Sequence, residues 1–136
     1  MNSFVGLKLP FFMPDATLGA IRTLTTKQIE DTGTSIVVVN TFHLFVSHGP
    51  DLMKKLGGIK NLMNWKGKVL SDSGGFQVYS LIHKKSNMGK ITQYGAYFRS
   101  PINGKKYLLT PENSIDMQIA LGSDVLIVLD DCRFSE

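Results

Sequence analysis

At 136 residues with 43% hydrophobic content, the chain is long enough for one globular domain with its own core and too short for two. Fifteen Lys and Arg against 11 Asp and Glu give a formal charge of +4 and a pI near 9.2, but the basic pairs Lys54-Lys55, Lys84-Lys85 and Lys105-Lys106 are spread out, so charge alone favours a solvated surface over an RNA patch. The single cysteine, Cys132, excludes an internal disulfide and a cysteine-rich zinc site, and no apolar run approaches a membrane span, so a cytoplasmic protein with no metal in this chain is expected.

The first eight residues have neither a charged start nor a long apolar stretch, so no export signal is expected. Thr25-Thr26-Lys27-Gln28 has the form of a capping box and predicts a short helix ending at Gly33. Ser35-Ile36-Val37-Val38-Val39 is an unbroken β-branched run, the signature of a strand buried on both faces of a parallel sheet, and it ends at Asn40. His43, His48 and His83 lack the spacing of a helical metal motif and read as polar or packing residues. Pro50 opens a second helical stretch through Leu52 and Leu56, which Gly57-Gly58 closes. Val69-Leu70-Ser71 is a brief strand ending at Asp72. Ile91 to Phe98 alternates more loosely, and the tight-turn pair Asn103-Gly104 precedes a partner strand from Lys106 to Leu109, which predicts an inserted hairpin. Thr110-Pro111-Glu112 supplies a cap, a first-turn proline and an early acid for a helix running towards Gly122. The apolar run Val125-Leu126-Ile127-Val128-Leu129 then predicts a third strand, ending at Asp130.

Strands alternating with helices give an α/β architecture, and right-handed crossovers place Asn40, Asp72 and Asp130 on one rim. Polar groups at the C-terminal ends of parallel strands are the active-site position of a (β/α)8 barrel. A doubly wound sheet shares the local pattern, but no dinucleotide fingerprint follows any strand. The expected fold is therefore part of a (β/α)8 TIM barrel with an inserted β-hairpin, with residues 1–136 forming the N-terminal part of one domain.

Two constellations on that rim carry chemistry. In Asp72-Ser73-Gly74-Gly75-Phe76-Gln77 the two glycines would let a flat ligand approach backbone amides, the ring would offer a stacking face, and the carboxylate would read the ligand's N–H edge. A tight turn into the next helix, capped by Asp72, is equally compatible with these residues. The segment is neither a phosphate loop nor a nucleophile elbow. In Asp130-Asp131-Cys132, alternation turns one acid towards a pocket, with Asp130 the inward candidate. Two carboxylates on one small site push their pKa values apart, as acid and base roles require. Exposed loop acids would give the same pattern, and Cys132 reads as a buried, inert thiol.

The ordered blocks Phe12-Met13-Pro14, Asn40-Thr41-Phe42-His43-Leu44, Met63-Asn64-Trp65, Asp72-Ser73-Gly74-Gly75-Phe76-Gln77-Val78, Phe98-Arg99-Ser100-Pro101-Ile102-Asn103-Gly104, Leu109-Thr110-Pro111-Glu112, Gln118, Leu121-Gly122-Ser123-Asp124 and Asp130-Asp131-Cys132 closely resemble the N-terminal portion of the queuine-type tRNA-guanine transglycosylases. The resemblance implies exchange of the wobble guanine of tRNA for a 7-deazaguanine base, through a covalent ribosyl-enzyme formed by an aspartate nucleophile. It implies Asp72 as general acid/base and base-edge acceptor, with Ser73, Gly74 and Gly75 in the same pocket. Phe76 is implied as the stacking ring and Asp130 as the second recognition carboxylate. Val46-Ser47-His48-Gly49 departs from the family pattern and removes a basic residue near the site. The resemblance further implies that the nucleophile and a Cys-rich zinc site lie downstream of Glu136, so that zinc has no ligands in this chain and the 136 residues alone are inactive. Expected partners are tRNA and the deazaguanine base, with homo- or heterodimer formation by the full-length form. A non-catalytic partner subunit, or an unrelated barrel binding another flat heterocycle, are the alternative readings.

Overall fold

The computed structural model describes residues 3–4, 6–84 and 88–130. Two short antiparallel strands, β1 (Ser3–Phe4) and β2 (Leu7–Lys8), open the chain. Helix α1 (Thr26–Asp31) starts at the expected capping box, in which the Thr25 hydroxyl accepts from the Gln28 amide and the Gln28 side chain accepts from the Thr25 amide. Gly33 follows its end with φ +79°, a conformation open to glycine and costly for a side chain. Strand β3 (Ile36–Val39) leads through Asn40 into α2 (Thr41–Ser47), then α3 (Gly49–Leu56) and α4 (Gly58–Met63). Strand β4 (Lys68–Ser71) passes through the Asp72–Gly74 turn into α5 (Gly75–Lys84). Strands β5 (Gly89–Thr92), β6 (Gly95–Arg99) and β7 (Lys106–Leu109) form an antiparallel sheet before α6 (Pro111–Ala120) and β8 (Val125–Leu126).

The parallel sheet has the order β3-β4-β8, with Val39 beside Ser71 and Ser71 beside Leu126. At the other edge of β3, the Ala16 amide donates to the Val38 carbonyl at 2.8 Å and the Val38 amide to the Pro14 carbonyl at 3.0 Å. This extends the sheet by one short segment and brings Asp15 beside the strand ends. Ile36 and Val37 point to opposite faces and both are fully buried, as the β-branched run predicts. Val37, Val39 and Val69 pack with Met53, Ile59, Met117 and Leu121 from α3, α4 and α6 into the main core. Each such side chain contributes roughly 1.5–3 kcal/mol of burial free energy. A second cluster of Phe42, Val46, Val78, Phe98 and Leu109 joins α2 and α5 to the antiparallel sheet.

The strand-helix alternation stands, and none of the three sheets closes. Four local expectations change. Helix α2 was not foreseen; it forms because the Asn40 side chain caps it, accepting from the His43 amide at 3.1 Å, and because Phe42, Leu44 and Val46 are buried. Gly57 closes α3 as expected, in the left-handed conformation, but the further helix α4 that begins at once with Gly58, also at positive φ, was not foreseen. The run from Ile91 to Phe98 is two strands with a turn at Gln93-Tyr94, so the insert has three strands rather than two. The last apolar run pairs only at Val125 and Leu126, while Ile127 and Val128 are 40% and 72% exposed.

Candidate base-binding site

Parallel register puts the ends of β3, β4 and β8 side by side, and the polar residues that follow them gather there. Asp72 is held from β3's side. Its carboxylate accepts from the Asn40 side-chain amide at 2.6 Å and from the Thr41 backbone amide at 2.7 Å. The Thr41 hydroxyl donates to the Asp72 carbonyl, and the Asp72 amide donates to the Val39 carbonyl at 3.1 Å. Asp72 therefore sits at the N-terminus of α2, and it is Ser73 that bonds the start of α5, its hydroxyl accepting from the Gly75 amide at 3.2 Å.

Burial pushes the Asp72 carboxyl above its ordinary value. The amides of Thr41 and Gly74 and the nearby His43 act against this, and the charge of Asp15 adds to it. A desolvated carboxyl with a raised pKa exchanges a proton near neutrality more readily than a surface carboxylate does. Asp15 is itself engaged, accepting from the Thr17 amide at 2.8 Å and from the Thr17 hydroxyl. The Thr17 hydroxyl in turn accepts from the Asn40 amide at 2.8 Å.

The other side of the site is built through Ser73 and α6. The Ser73 hydroxyl lies 3.4 Å from Asp130 Oδ1, and the Ser73 carbonyl accepts from the Ser114 hydroxyl at 2.8 Å. Gln118, wholly buried on α6, accepts from the Ser71 hydroxyl at 2.8 Å and the Ile127 amide at 3.0 Å. Its amide group donates to the Ile127 carbonyl at 2.9 Å and to the Ser114 hydroxyl at 3.2 Å. At Ile127 this side chain shares the amide with the Ser71 carbonyl of β4, 3.2 Å away, and takes the carbonyl, at the point where β8 ends. It also steers the chain from Ile127 to Asp130 across the end of β4.

Both glycines of the turn have structural reasons. Gly74 has φ +77°, and a Cβ there would lie 3.0 Å from the Phe42 amide nitrogen; a Cβ on Gly75 would lie 3.0 Å from the Asp130 carbonyl oxygen. The tight-turn reading and the ligand-loop reading thus describe the same residues. Ser73, Gly74 and Gly75 are buried, and Gly75 and Asp130 border a cavity of about 230 Å³ together with Tyr79, Gln93 and Leu129. Phe76 does not face that cavity. It is 63% exposed and borders a separate groove of about 330 Å³ with Phe42, His43 and Leu81.

Ser73, Gly75 and an exposed Asp130 are therefore brought together, while the Asp72 carboxylate is turned to Asn40 and Thr41 and Phe76 borders a separate groove. Asp131 and Cys132 lie outside the described residues. Sequence reasoning did not single out Thr41, Asp15, Ser114 or Gln118 for this site. Only Gln118 carried a local signal, a polar side chain on the face of α6 that also buries Ser114 and Met117. Among the described residues no three His, Cys, Asp or Glu side chains converge as metal ligands, so the zinc implied by the family resemblance has no donor set in them. No described helix is long and apolar enough to cross a membrane.

The family model described as queuine tRNA-ribosyltransferase matches residues 4–136. The chain is 46% identical over 126 residues to the queuine tRNA-ribosyltransferase of Tolumonas auensis, and 44% identical over 126 residues to those of Baumannia cicadellinicola and Hydrogenovibrio crunogenus. In each case the match covers 93% of this chain and 33% of the relative, so the chain spans about a third of the length of these curated relatives.

Proposed function

Because the chain belongs to the queuine tRNA-ribosyltransferase family, we propose that it carries the base-recognition pocket of an enzyme that exchanges the wobble guanine of tRNA for a 7-deazaguanine. The observation that carries this reading is a half-buried Asp72 carboxyl, raised by burial at the end of β4, followed directly by Ser73, whose hydroxyl lies 3.4 Å from the Asp130 carboxylate beyond β8. In this reading Asp130 accepts from the N–H edge that guanine and 7-deazaguanine share and adenine lacks. Asp130 is exposed in this structure, so the discrimination rests on the base covering it: an acceptor shielded from water by a bound base is left unpaired by the wrong one.

Asp72 serves as general acid and base. An aspartate nucleophile attacks the ribose C1′ and the bond from C1′ to guanine breaks, with the leaving base taking its proton from Asp72. The incoming deazaguanine returns a proton to Asp72 and displaces the carboxylate from C1′, so the sugar keeps its configuration. To meet a base, the Asp72 carboxylate gives up its bonds to Asn40 and Thr41, which makes these two residues the resting partners of the acid.

The proposed architecture is the early part of a (β/α)8 barrel, with the nucleophile and the zinc ligands in the stretch of the relatives that this chain does not match. By the same reading the 136 residues bind the base without exchanging it, and measurable exchange by the purified chain would overturn that part. Calorimetric titration with a 7-deazaguanine base tests the pocket. Asp72→Ala weakens binding at least tenfold, and Asp130→Asn narrows the preference for guanine over adenine. Unchanged affinity in Asp72→Ala would sink the assignment.

A further inference from the structure

Between Asp72 and Glu112 the sequence contains no Asp or Glu, yet it carries Lys84, Lys85, Lys90, Arg99, Lys105 and Lys106. These six cations outnumber the net charge of +4 on the whole chain, and four of them, Lys90, Arg99, Lys105 and Lys106, fall between the start of β5 and the end of β7. The antiparallel sheet concentrates it further. Phe98 and Leu109 face the core, so by strand alternation their neighbours Tyr97 and Arg99 face outwards. Register sets Lys90 opposite Tyr97 and Arg99 opposite Lys106, and all four are exposed.

Like charges directly across a ladder repel each other, and no acid on this sheet relieves them. The ion pairs among the described residues, Lys27 with Asp31 and Lys60 with Asp124, lie elsewhere. The outward face is also concave: a cleft of about 930 Å³ is bordered by Lys90, Gln93, Tyr94, Tyr97, Arg99 and Lys106. Cations interleaved with exposed tyrosines suit a phosphate-ribose chain, where guanidinium and ammonium groups meet phosphates and rings stack on bases or sugars. Thr92 and Gln93 border both this cleft and the smaller cavity that holds Gly75 and Asp130. The smaller cavity lies on the inward face, beside Ile91, Ala96 and Leu109, so a polymer on the outward face reaches it around the β5-β6 turn.

We propose that the outward face of the β5-β6-β7 sheet is an RNA-backbone docking surface, holding the anticodon arm of the tRNA whose base enters the Asp72 site. The proposal rests on the functional reading above for the identity of the RNA. It differs from that reading in the residues that carry it, Lys90, Tyr97, Arg99 and Lys106, none of which borders the base cavity.

The test is fluorescence anisotropy of the chain with a labelled anticodon-arm hairpin RNA over a range of salt concentrations, with base titration run on the same samples. Lys90→Ala/Arg99→Ala/Lys106→Ala is expected to bind the hairpin at least tenfold more weakly. Its log–log salt slope should be shallower by about two to three, since each lost phosphate contact removes roughly 0.7–0.9. Lys90→Arg/Lys106→Arg, which keeps the charge, should bind within about threefold of the parent, and both variants should bind the base as the parent does. An unchanged salt slope in the triple variant would overturn the proposal. So would base binding without any RNA binding by the parent, or displacement of the RNA by poly-glutamate at matched charge, which would point to an acidic protein instead. RNA binding with the expected slope but no base binding would leave the docking face standing and overturn the reading of the base pocket.

Discussion

Replacing Gln118 by Leu removes the polar joint between α6, the end of β4 and the segment leading to Asp130, at almost no cost in helix propensity. Four hydrogen bonds disappear: those with the Ser71 hydroxyl, the Ser114 hydroxyl, and the amide and carbonyl of Ile127. Their former partners do not suffer equally. The Ile127 amide also lies 3.2 Å from the Ser71 carbonyl, the Ser114 hydroxyl still donates to Ser73, and Ile127 is exposed enough for water to reach its carbonyl. The Ser71 hydroxyl is fully buried and loses its acceptor. One stranded buried hydroxyl costs about 1–3 kcal/mol, and the remaining bonds add about 1 kcal/mol net, so the expected loss is about 2–4 kcal/mol. Urea unfolding should show a lower midpoint at constant m-value. Ser71→Ala/Gln118→Leu should recover about 1 kcal/mol, because removing both partners is less costly than stranding one. A loss below about 1 kcal/mol, or a double variant no more stable than the single one, would refute the reasoning.

A methyl group added at Gly75 meets the Asp130 carbonyl oxygen and Leu129 Cδ1 at 3.0 Å, so Gly75→Ala should cost about 1–3 kcal/mol through overpacking and weaken base binding by displacing Asp130, as calorimetry would read. Burial acts to raise the Asp124 carboxyl, but Lys60 at 2.8 Å and the Val69 amide at 2.7 Å outweigh it and hold it below its ordinary value of 3.8. Its stabilisation is therefore full above that value and lost as pH falls through the lower folded one; Asp124→Asn should flatten acid unfolding in that window. Asp72 has the opposite sign, since its raised folded pKa gives stability that is full below 3.8 and lost as pH rises through the folded value. Asp72→Asn should accordingly become more stable relative to the parent as pH rises above 3.8 through the folded value, and a difference that stays constant as pH rises from 3.8 would contradict the burial argument.

What the sequence reveals here follows the range of the interactions involved. Strand β3 is legible because four β-branched residues in a row suit a strand buried on both faces, and α1 and α6 because their capping residues lie within three positions of each other. Asp72 and Asp130 are legible as candidates because each follows an apolar run. The alternation of strands and helices also puts Asn40 on the rim with Asp72, but not the bonds themselves, which Asn40 and Thr41 make across 32 and 31 residues. Asp15 arrives by an isolated strand bridge with no sequence mark. Helix α2 runs against propensity, with aromatic and β-branched residues at Phe42, Phe45 and Val46, and exists because its cap and its packing override that preference. The turn at Gln93-Tyr94 lacks the usual glycine or asparagine. The Thr92 hydroxyl replaces them, accepting from the Tyr94 amide at 3.2 Å and donating to the Gly95 carbonyl at 3.0 Å.

The most direct test of the central claim is a ¹H–¹⁵N NMR titration of the chain with a 7-deazaguanine base. The account predicts that the amides of Ser73, Gly74, Gly75 and Asp130 shift together with that of Thr41, as the Asp72 carboxylate turns from its resting partner to the base. The same titration of Asp72→Ala should leave them still. Shifts confined to the cleft of the antiparallel sheet, or equal shifts in parent and variant, would contradict it.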